Sequence, residues 1–201
     1  MIIDKRILLV VTGGIAAYKT PELVRQLTKA GARVRVILTK GGAQFVTPMT
    51  LEALTQDTVY QDLFSLTDEN SMGHIELSRD ADLVIVAPAT ADIMAKMAAG
   101  MADDLATTAL LATDKPVIIA PAMNVRMWEH PATRDNLKTL ISRDITIIGP
   151  DEGDMACGEY GMGRMSAPEE IVETAVRFFS ASGRLSGKRA IVTSGPTHEA
   201  I

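Results

Sequence analysis

Three polar side chains could do chemistry because each lies in an apolar or glycine-rich segment of the chain. They are His74, Asn124 and Cys157, in the segments MGHIE, PAMN and ACG. Each segment follows an apolar run or lies in a loop marked by glycine. A doubly wound α/β sheet places its functional groups in such positions, outside the carboxyl ends of its strands. An imidazole, an amide and a thiol that converge on one cleft suit redox or acid–base chemistry on a small acid, and not recognition of a polymer.

His74 and Asn124 also have simpler interpretations, whereas Cys157 does not lie where a core cysteine usually would. His74 could be a surface loop histidine or, because imidazole titrates near neutral pH, a general base. The Asn124 amide could cap the following turn or donate a hydrogen bond to a carboxylate. Cys157 lies in a glycine-rich stretch that is typical of a lid. Its acidic neighbours favour a protonated thiol, which could act as a proton donor.

A glycine turn follows the first apolar run. Gly13 and Gly14 let backbone N–H groups approach an anion, and the N-terminus of the helix that follows favours a phosphate. The segment matches neither the Walker A motif nor the complete Gly-x-Gly-x-x-Gly fingerprint, so a tight strand-to-helix turn is the alternative. Thr39 and Thr90 come just after later strands, where each hydroxyl could complete an anion cradle or cap a helix.

The elements that must position these residues alternate between strand-length apolar runs and segments of helical period. The runs that predict strands are 7–11, 34–38, 83–87, 117–120 and 145–148. This alternation predicts an α/β fold, with a doubly wound, mostly parallel sheet and helices on both faces. Residues 55–73 are polar and indicate an exposed irregular excursion. Residues 149–165 are rich in glycine, have no apolar period and indicate a flap.

Composition excludes several classes of protein. The 201 residues suffice for one domain with a sizeable core, and the 47% apolar content argues against disorder. A net charge of −5 without a cluster of basic residues argues against a nucleic-acid partner. The apolar runs are too short to cross a bilayer, so we expect no membrane partner. The single cysteine excludes an internal disulfide framework and a cysteine-based zinc site, and we expect a cytoplasmic protein without a metal.

The last twenty residues predict the beginning of a second unit. Residues 182–187 have the composition of a linker, and residues 188–197 repeat the opening pattern of a strand followed by a glycine turn. A strand and turn without their helix cannot bury a face of their own. We therefore expect one cofactor-binding domain over residues 1–181. Residues 182–201 would be a linker and the truncated first strand of a second domain.

Five segments taken together resemble one protein family. They are GGIAAYK from residue 13, GHI from residue 73, APATA from residue 87, PAMN from residue 121, and ACG with GRM from residues 156 and 163. Over residues 5–180 the chain is similar to the homo-oligomeric flavin-containing cysteine decarboxylases, which are Rossmann-like flavoproteins. Within that family it resembles the phosphopantothenoylcysteine decarboxylases that form the N-terminal half of a bifunctional bacterial decarboxylase/synthetase. Residues 193–197 resemble the start of the synthetase half.

The resemblance implies FMN as the cofactor and assigns roles by motif position. The residues that it implies around the FMN phosphate are Gly13, Gly14 and Ile15, with Thr39 nearby. The resemblance also implies that five residues contact the rest of the FMN molecule: Thr90, Ala91, Asp92, Ile93 and Ala122. The residues that it places at the substrate are His74 as the base, Asn124 for the carboxylate, Cys157 as the proton donor, and Arg164. Many relatives have asparagine in place of Asp92. We expect the Asp92 carboxylate to point away from the cofactor or to bind through its backbone, because it would repel a phosphate.

The implied activity is FMN-dependent decarboxylation of 4'-phosphopantothenoylcysteine to 4'-phosphopantetheine in coenzyme A biosynthesis, through a thioaldehyde and an enethiol. The family assembles as homo-trimers, often grouped into a dodecamer, so residues of two subunits would surround one flavin. One alternative is a flavin prenyltransferase or a peptidyl-cysteine decarboxylase of the same superfamily, and another is a non-catalytic flavin-binding regulatory protein. The combination of His74, the Asn124 segment and the Cys157 flap favours decarboxylation of 4'-phosphopantothenoylcysteine over these alternatives.

Overall fold

The computed structural model describes residues 1–63 and 73–181, and the side chains of residues 73–75 and 181 lie outside this description. Its strands are β1 (Arg6–Val11), β2 (Arg33–Leu38), β3 (Val59–Tyr60), β4 (Leu83–Ala89), β5 (Val117–Pro121), β6 (Thr146–Ile147), β7 (Asp151–Asp154) and β8 (Tyr160–Arg164). In the described residues, six of these strands form a parallel sheet in the order β3-β2-β1-β4-β5-β6. The other two, β7 and β8, form an antiparallel hairpin.

Helices cover both faces of the sheet, which makes its central strands continuous apolar runs. The α-helices are α1 (Thr20–Lys29), α2 (Pro48–Thr55), α3 (Gly73–Asp80), α4 (Ala91–Ala99), α5 (Leu105–Ala112), α6 (Val125–Glu129), α7 (Pro131–Ser142) and α8 (Pro168–Ala181). Alternate residues of β1 enter opposite cores. Leu9 packs with apolar residues of α1, α2 and α8, whereas Leu8 packs with those of α4, α5 and α7. The predicted doubly wound α/β fold is confirmed.

The strand order reverses between β1 and β4, so the switch point of the sheet lies between them. In open α/β sheets, ligands bind in the crevice outside the carboxyl ends of the strands at this point. Thr12, directly after β1, donates a 2.6 Å hydrogen bond from its hydroxyl to the carbonyl of Pro88 near the end of β4. This bond holds the two loops of the crevice together.

Two features differ from the sequence expectation. Residues 149–165, in which the sequence shows no apolar period, contain the two strands β7 and β8, so the predicted flap is a hairpin. The polar excursion contains the edge strand β3, which is paired in parallel with β2; the part of the excursion at 64–72 lies outside the described residues. The predicted linker and second-domain strand at 182–201 also lie outside the described residues, and that division stays a prediction.

No helix among the residues that the structure describes has the length and apolar character required to span a bilayer.

An ion-pair network closes the amino end of the sheet. The Arg6 backbone amide donates to Asp82 at 2.8 Å, and the Arg6 guanidinium lies 2.9 Å from an Asp80 oxygen and 3.5 Å from an Asp82 oxygen. Burial alone would raise the pKa of Asp82, but the hydrogen bonds and charge of Arg6 outweigh it and hold that pKa below its ordinary value of 3.8. The ionised form is therefore favoured in the folded protein.

Replacing Asp82 by asparagine should lower the free energy of unfolding by about 1 kcal/mol at neutral pH, the usual size of one such hydrogen bond. The wild-type advantage should be complete above the ordinary pKa and should vanish as the pH falls through the lowered one. Urea unfolding at a series of pH values from neutral to acid measures the difference in free energy of unfolding between the two proteins. Asp135→Asn, at an exposed pair with Lys138, serves as the control. If the difference in free energy of unfolding between the wild type and Asp82→Asn does not change as the pH is lowered, this account is contradicted.

Candidate active site

Two adjoining cavities open at the carboxyl edge of the sheet. The larger, about 800 Å³, is called here the glycine-rim cavity, and its lining includes Thr12, Gly13, Gly14, Thr39, Lys40, Gly41, Thr90, Ala91, Asp92, Ile93, Lys96 and Met123. The smaller, about 340 Å³, is called the flap cavity, and its lining includes Gly14, Ile15, Tyr18, Lys19, Ala122, Met123, Asn124, Cys157, Arg164 and Met165. Gly14 and Met123 line both cavities, so a molecule in one would border on a molecule in the other.

The rim of the larger cavity is formed by two loops whose backbones touch. A Cβ atom on Gly13 would lie 2.9 Å from the carbonyl carbon and Cα of Gly41, and one on Gly41 would lie 3.1 Å from the Cα of Gly13. A side chain at either position would push apart the loops that follow β1 and β2. The two glycines therefore allow main-chain groups to line the cavity. Anion binding at the predicted turn of Gly13 and Gly14 stays a prediction.

The two predicted hydroxyls have local partners. The Thr39 hydroxyl accepts a 3.0 Å hydrogen bond from the Gly42 amide and donates at 3.2 Å to the Val11 carbonyl. The Thr90 hydroxyl caps α4 by accepting a 3.3 Å hydrogen bond from the Ile93 amide. The capping interpretation is confirmed for Thr90. It is wrong for Thr39, because the N-cap of the 3₁₀ turn Gly42–Gln44 is Gly41. Both threonines also line the glycine-rim cavity.

Three of the aspartates that line this cavity have polar partners among the described residues. The Lys96 ammonium lies 3.5 Å from an Asp92 oxygen and 3.1 Å from an Asp103 oxygen, and its hydrogen bond to Asp103 is the main cause that raises the pKa of Lys96. Asp104 caps α5 through the Thr107 amide at 2.7 Å. The Asp92 side chain is 73% exposed, and the expectation that its carboxylate points away from the cofactor or binds through its backbone stays a prediction.

The flap is a hairpin with glycines on its inner face. A Cβ on Gly161 would contact Val125, and one on Gly163 would run into the Met123 carbonyl oxygen. The Met123 amide in turn donates to the Gly163 carbonyl at 3.0 Å. Because the inner face lies directly against the chain after β5, only glycine fits there. This packing explains why the segment shows no apolar period.

Asn124 is held in place by its role as the N-cap of α6. Its Oδ1 accepts a 2.8 Å hydrogen bond from the Met127 amide, which fixes the orientation of the side-chain amide. No acceptor is present for its NH₂ group within the residues that the structure describes. Asn124 thus lines the flap cavity with two donor hydrogens that a ligand can use.

Cys157 lies in the exposed connection between β7 and β8 and also lines the flap cavity. Its sulfur is 3.8 Å from a carboxylate oxygen of Glu159. The hairpin that carries it is fixed at its base, where the Ser166 hydroxyl donates at 2.7 Å to Asp151. The thiol is therefore presented at the exposed end of an anchored hairpin.

The other predicted residues are distributed between the cavities. Ile15 and Ala122 line the flap cavity and not the glycine-rim cavity, which distinguishes them from the other predicted cofactor residues. Arg164 ends β8, and its guanidinium lies over Gly153 of the opposite strand. His74 is the second residue of α3, and its side chain lies outside the described residues. Its proximity to Asn124 and Cys157 stays a prediction.

Sequence reasoning missed Lys19 as a site residue. It ends the 3₁₀ helix Ile15–Lys19 that follows the glycine turn, and its ammonium donates at 2.6 Å to the Met165 carbonyl. Burial lowers the pKa of Lys19, the charge of Arg164 lowers it further, and Asp151 and Glu169 oppose this effect. The only sequence signal was its place at the end of the segment GGIAAYK.

Replacing Gly163 by alanine should detach the flap. Gly163 has a φ of +151°, a region that other residues avoid at a cost of about 1–3 kcal/mol, and its new methyl group would displace the Met123 carbonyl. We expect a loss of stability of at least about 2 kcal/mol in chemical unfolding. Gly158→Ala is the matched control, because Gly158 also has positive φ but has open space around it. Equal losses in the two variants would exclude the docking role.

Comparison with known proteins agrees with this geometry. A family model described as Flavoprotein matches residues 1–180. The coenzyme A biosynthesis bifunctional protein CoaBC of Haemophilus influenzae is 51% identical over 197 residues, which are 98% of this chain and 49% of that protein. The chain thus spans about half the length of the curated relatives that it matches.

Two solved structures have the same fold. A PPC decarboxylase with a cysteine-to-serine substitution, complexed with pantothenoylaminoethenethiol, is 35% identical with a TM-score of 0.79 and matches over 88% of this chain and 99% of that one. The FMN-dependent cysteine decarboxylase SpaF is 28% identical with a TM-score of 0.78 and matches over 90% of this chain and 100% of that one. From the family match over residues 1–180, together with the fold and the glycine-rim cavity, we conclude that this chain belongs to the Flavoprotein family.

Proposed function

We propose that this chain is an FMN-dependent decarboxylase that converts 4'-phosphopantothenoylcysteine to 4'-phosphopantetheine. The observation that carries the proposal is the pair of adjoining cavities, one rimmed by glycine backbone and one lined by Asn124 and Cys157. The names of the similar proteins support it, since they include a coenzyme A biosynthesis protein, a PPC decarboxylase and an FMN-dependent cysteine decarboxylase.

The glycine-rim cavity fits the phosphate end of FMN. The contact between Gly13 and Gly41 leaves no room for a side chain. At the start of α4, the backbone N–H groups of Ala91 and Asp92 have no hydrogen-bond acceptor among the described residues. Such groups at a helix N-terminus favour a phosphate. Thr39 and Thr90 flank the same space. A bound flavin supplies reversible two-electron oxidation, which creates the electron sink that loss of carbon dioxide requires.

Asn124 and Cys157 act on the substrate in the flap cavity. The free NH₂ group of Asn124 donates to the substrate carboxylate and orients it. Cys157 donates its thiol proton to the carbon left electron-rich after carbon dioxide departs. His74 acts as the base for the first oxidation, as its position in the family pattern implies.

The proposal is tested by cofactor identification and product analysis. The purified chain should carry a flavin that is identified as FMN after release by heat. It should release carbon dioxide from 4'-phosphopantothenoylcysteine and not from a peptide that ends in cysteine. Carbon dioxide release from the peptide alone would indicate a peptidyl-cysteine decarboxylase. Bound FMN without release from either compound would indicate a non-catalytic flavin-binding protein.

We also propose a homo-oligomer in which a second copy covers the edge of the flap cavity. Ile15 and Tyr18, which both line the flap cavity, are 58% and 63% exposed, although both are large and mostly apolar. Exposed apolar patches of this kind mark interaction surfaces. Light scattering measures the mass of the assembly. The trimer, the possible dodecamer and the cytoplasmic location stay predictions.

A further inference from the structure

The ammonium of Lys19 is held at the wall of the flap cavity. Its hydrogen bond to the Met165 carbonyl, 2.6 Å long, joins the helix after the glycine turn to the base of the flap. An ammonium has three donor hydrogens, and within the described part of the chain this is its one hydrogen bond. Two donors therefore remain for a ligand in the cavity that Lys19 lines.

The charges around Lys19 favour an anion. Lys19 and Arg164 are the cations in the described lining of the flap cavity, and Asp154 is its carboxylate. The nearby carboxylates already have partners, because Asp151 accepts from the Ser166 hydroxyl and Glu169 accepts from the Gln26 amide. Burial and Arg164 lower the pKa of Lys19, although Asp151 and Glu169 oppose them, and an anion in the cavity would offset both lowering effects.

We propose that Lys19, together with Arg164, binds the phosphate of the substrate in the flap cavity. This inference rests on the proposed function, which supplies a substrate with one phosphate and one carboxylate. The dianionic phosphate is the group that matches two cations, whereas the neutral amide of Asn124 suits the carboxylate. The hydrogen bond to Met165 holds the ammonium in position before the substrate arrives, so little side-chain freedom is lost on binding.

Equilibrium binding to the flavin-loaded protein tests the proposal with two probes. 4'-Phosphopantetheine has the phosphate without the carboxylate, and pantothenoylcysteine has the carboxylate without the phosphate. Lys19→Met should weaken 4'-phosphopantetheine binding at least about tenfold, the effect of losing one charge-assisted hydrogen bond, and should leave pantothenoylcysteine binding unchanged. Lys19→Arg should retain most of the affinity. Lys29→Met, on the exposed end of α1, is the charge-matched control.

Lys19→Gln separates the charge from the contact with Met165, because its side-chain amide can still donate to a carbonyl. It should weaken 4'-phosphopantetheine binding as Lys19→Met does while retaining the bound flavin and the wild-type melting temperature. Unchanged 4'-phosphopantetheine affinity in Lys19→Gln, or weaker binding of pantothenoylcysteine alone, would overturn the phosphate assignment. If the wild-type protein binds neither probe, the proposed function itself fails.

Discussion

An Asn124→Asp variant is expected to fold like the wild type and to lose about 10²–10³-fold in kcat/KM for 4'-phosphopantothenoylcysteine. Aspartate is as good an N-cap as asparagine, so the 2.8 Å hydrogen bond from the Met127 amide should persist. The substitution replaces the NH₂ donor by an anionic oxygen, which repels the substrate carboxylate. Steady-state kinetics and thermal unfolding of the same preparation measure both effects.

A serine at the same position separates the lost donor from the added charge. Asn124→Ser keeps a good cap and stays neutral, so its loss in kcat/KM should be smaller than that of the aspartate variant. Asn124→Ala should lose the cap as well, at a cost of about 1 kcal/mol in stability. If Asn124→Asp retains kcat/KM within a few-fold of the wild type, the carboxylate does not bind at Asn124.

A Cys157→Ser variant should release one carbon dioxide per active site and then stop. A hydroxyl is a far weaker acid than a thiol, so it should not supply the proton that completes the product; such a transfer contributes about 10²–10⁴-fold. The accumulated compound should be an ethenethiol, which has lost carbon dioxide and is two electrons more oxidised than 4'-phosphopantetheine. Those two electrons stay with the bound flavin. The ethenethiol in the structure of a cysteine-to-serine PPC decarboxylase supports this expectation.

Single-turnover mass spectrometry distinguishes the two products. Glu159→Gln is the matched control, because Glu159 lies 3.8 Å from the Cys157 sulfur but has no proposed role in proton transfer. It should still form 4'-phosphopantetheine. Repeated turnover to 4'-phosphopantetheine by Cys157→Ser would remove the thiol from the mechanism.

The central sheet could be predicted from sequence because its strands are buried on both faces. Each of the five predicted runs corresponds to a strand of the sheet, and the strand ends carry the glycine turn and Thr90 as expected. Strand β3, Val59–Tyr60, could not be predicted, since two residues carry no period. The flap hairpin was missed for another reason. Its inner-face positions include Gly161 and Gly163, so the segment lacks the alternation of apolar and polar residues that predicts a strand.

The site could be predicted only in part, because its residues have two roles or distant partners. Thr39 and Thr90 each bond to a nearby backbone group and also line a cavity, so a local hydrogen bond does not exclude a place at the site. Lys19 was missed because its partner, the Met165 carbonyl, lies 146 residues along the chain. The separation of Ile15 and Ala122 from the other cofactor candidates depends on where the flap packs, which no local pattern encodes.

An anaerobic single turnover of the flavin-loaded chain with 4'-phosphopantothenoylcysteine tests the central claim most directly. We predict that the visible absorbance of the flavin falls and recovers while one carbon dioxide and one 4'-phosphopantetheine form per active site. A flavin spectrum that stays constant, with the substrate recovered intact, would contradict the claim that these two cavities form a decarboxylase site.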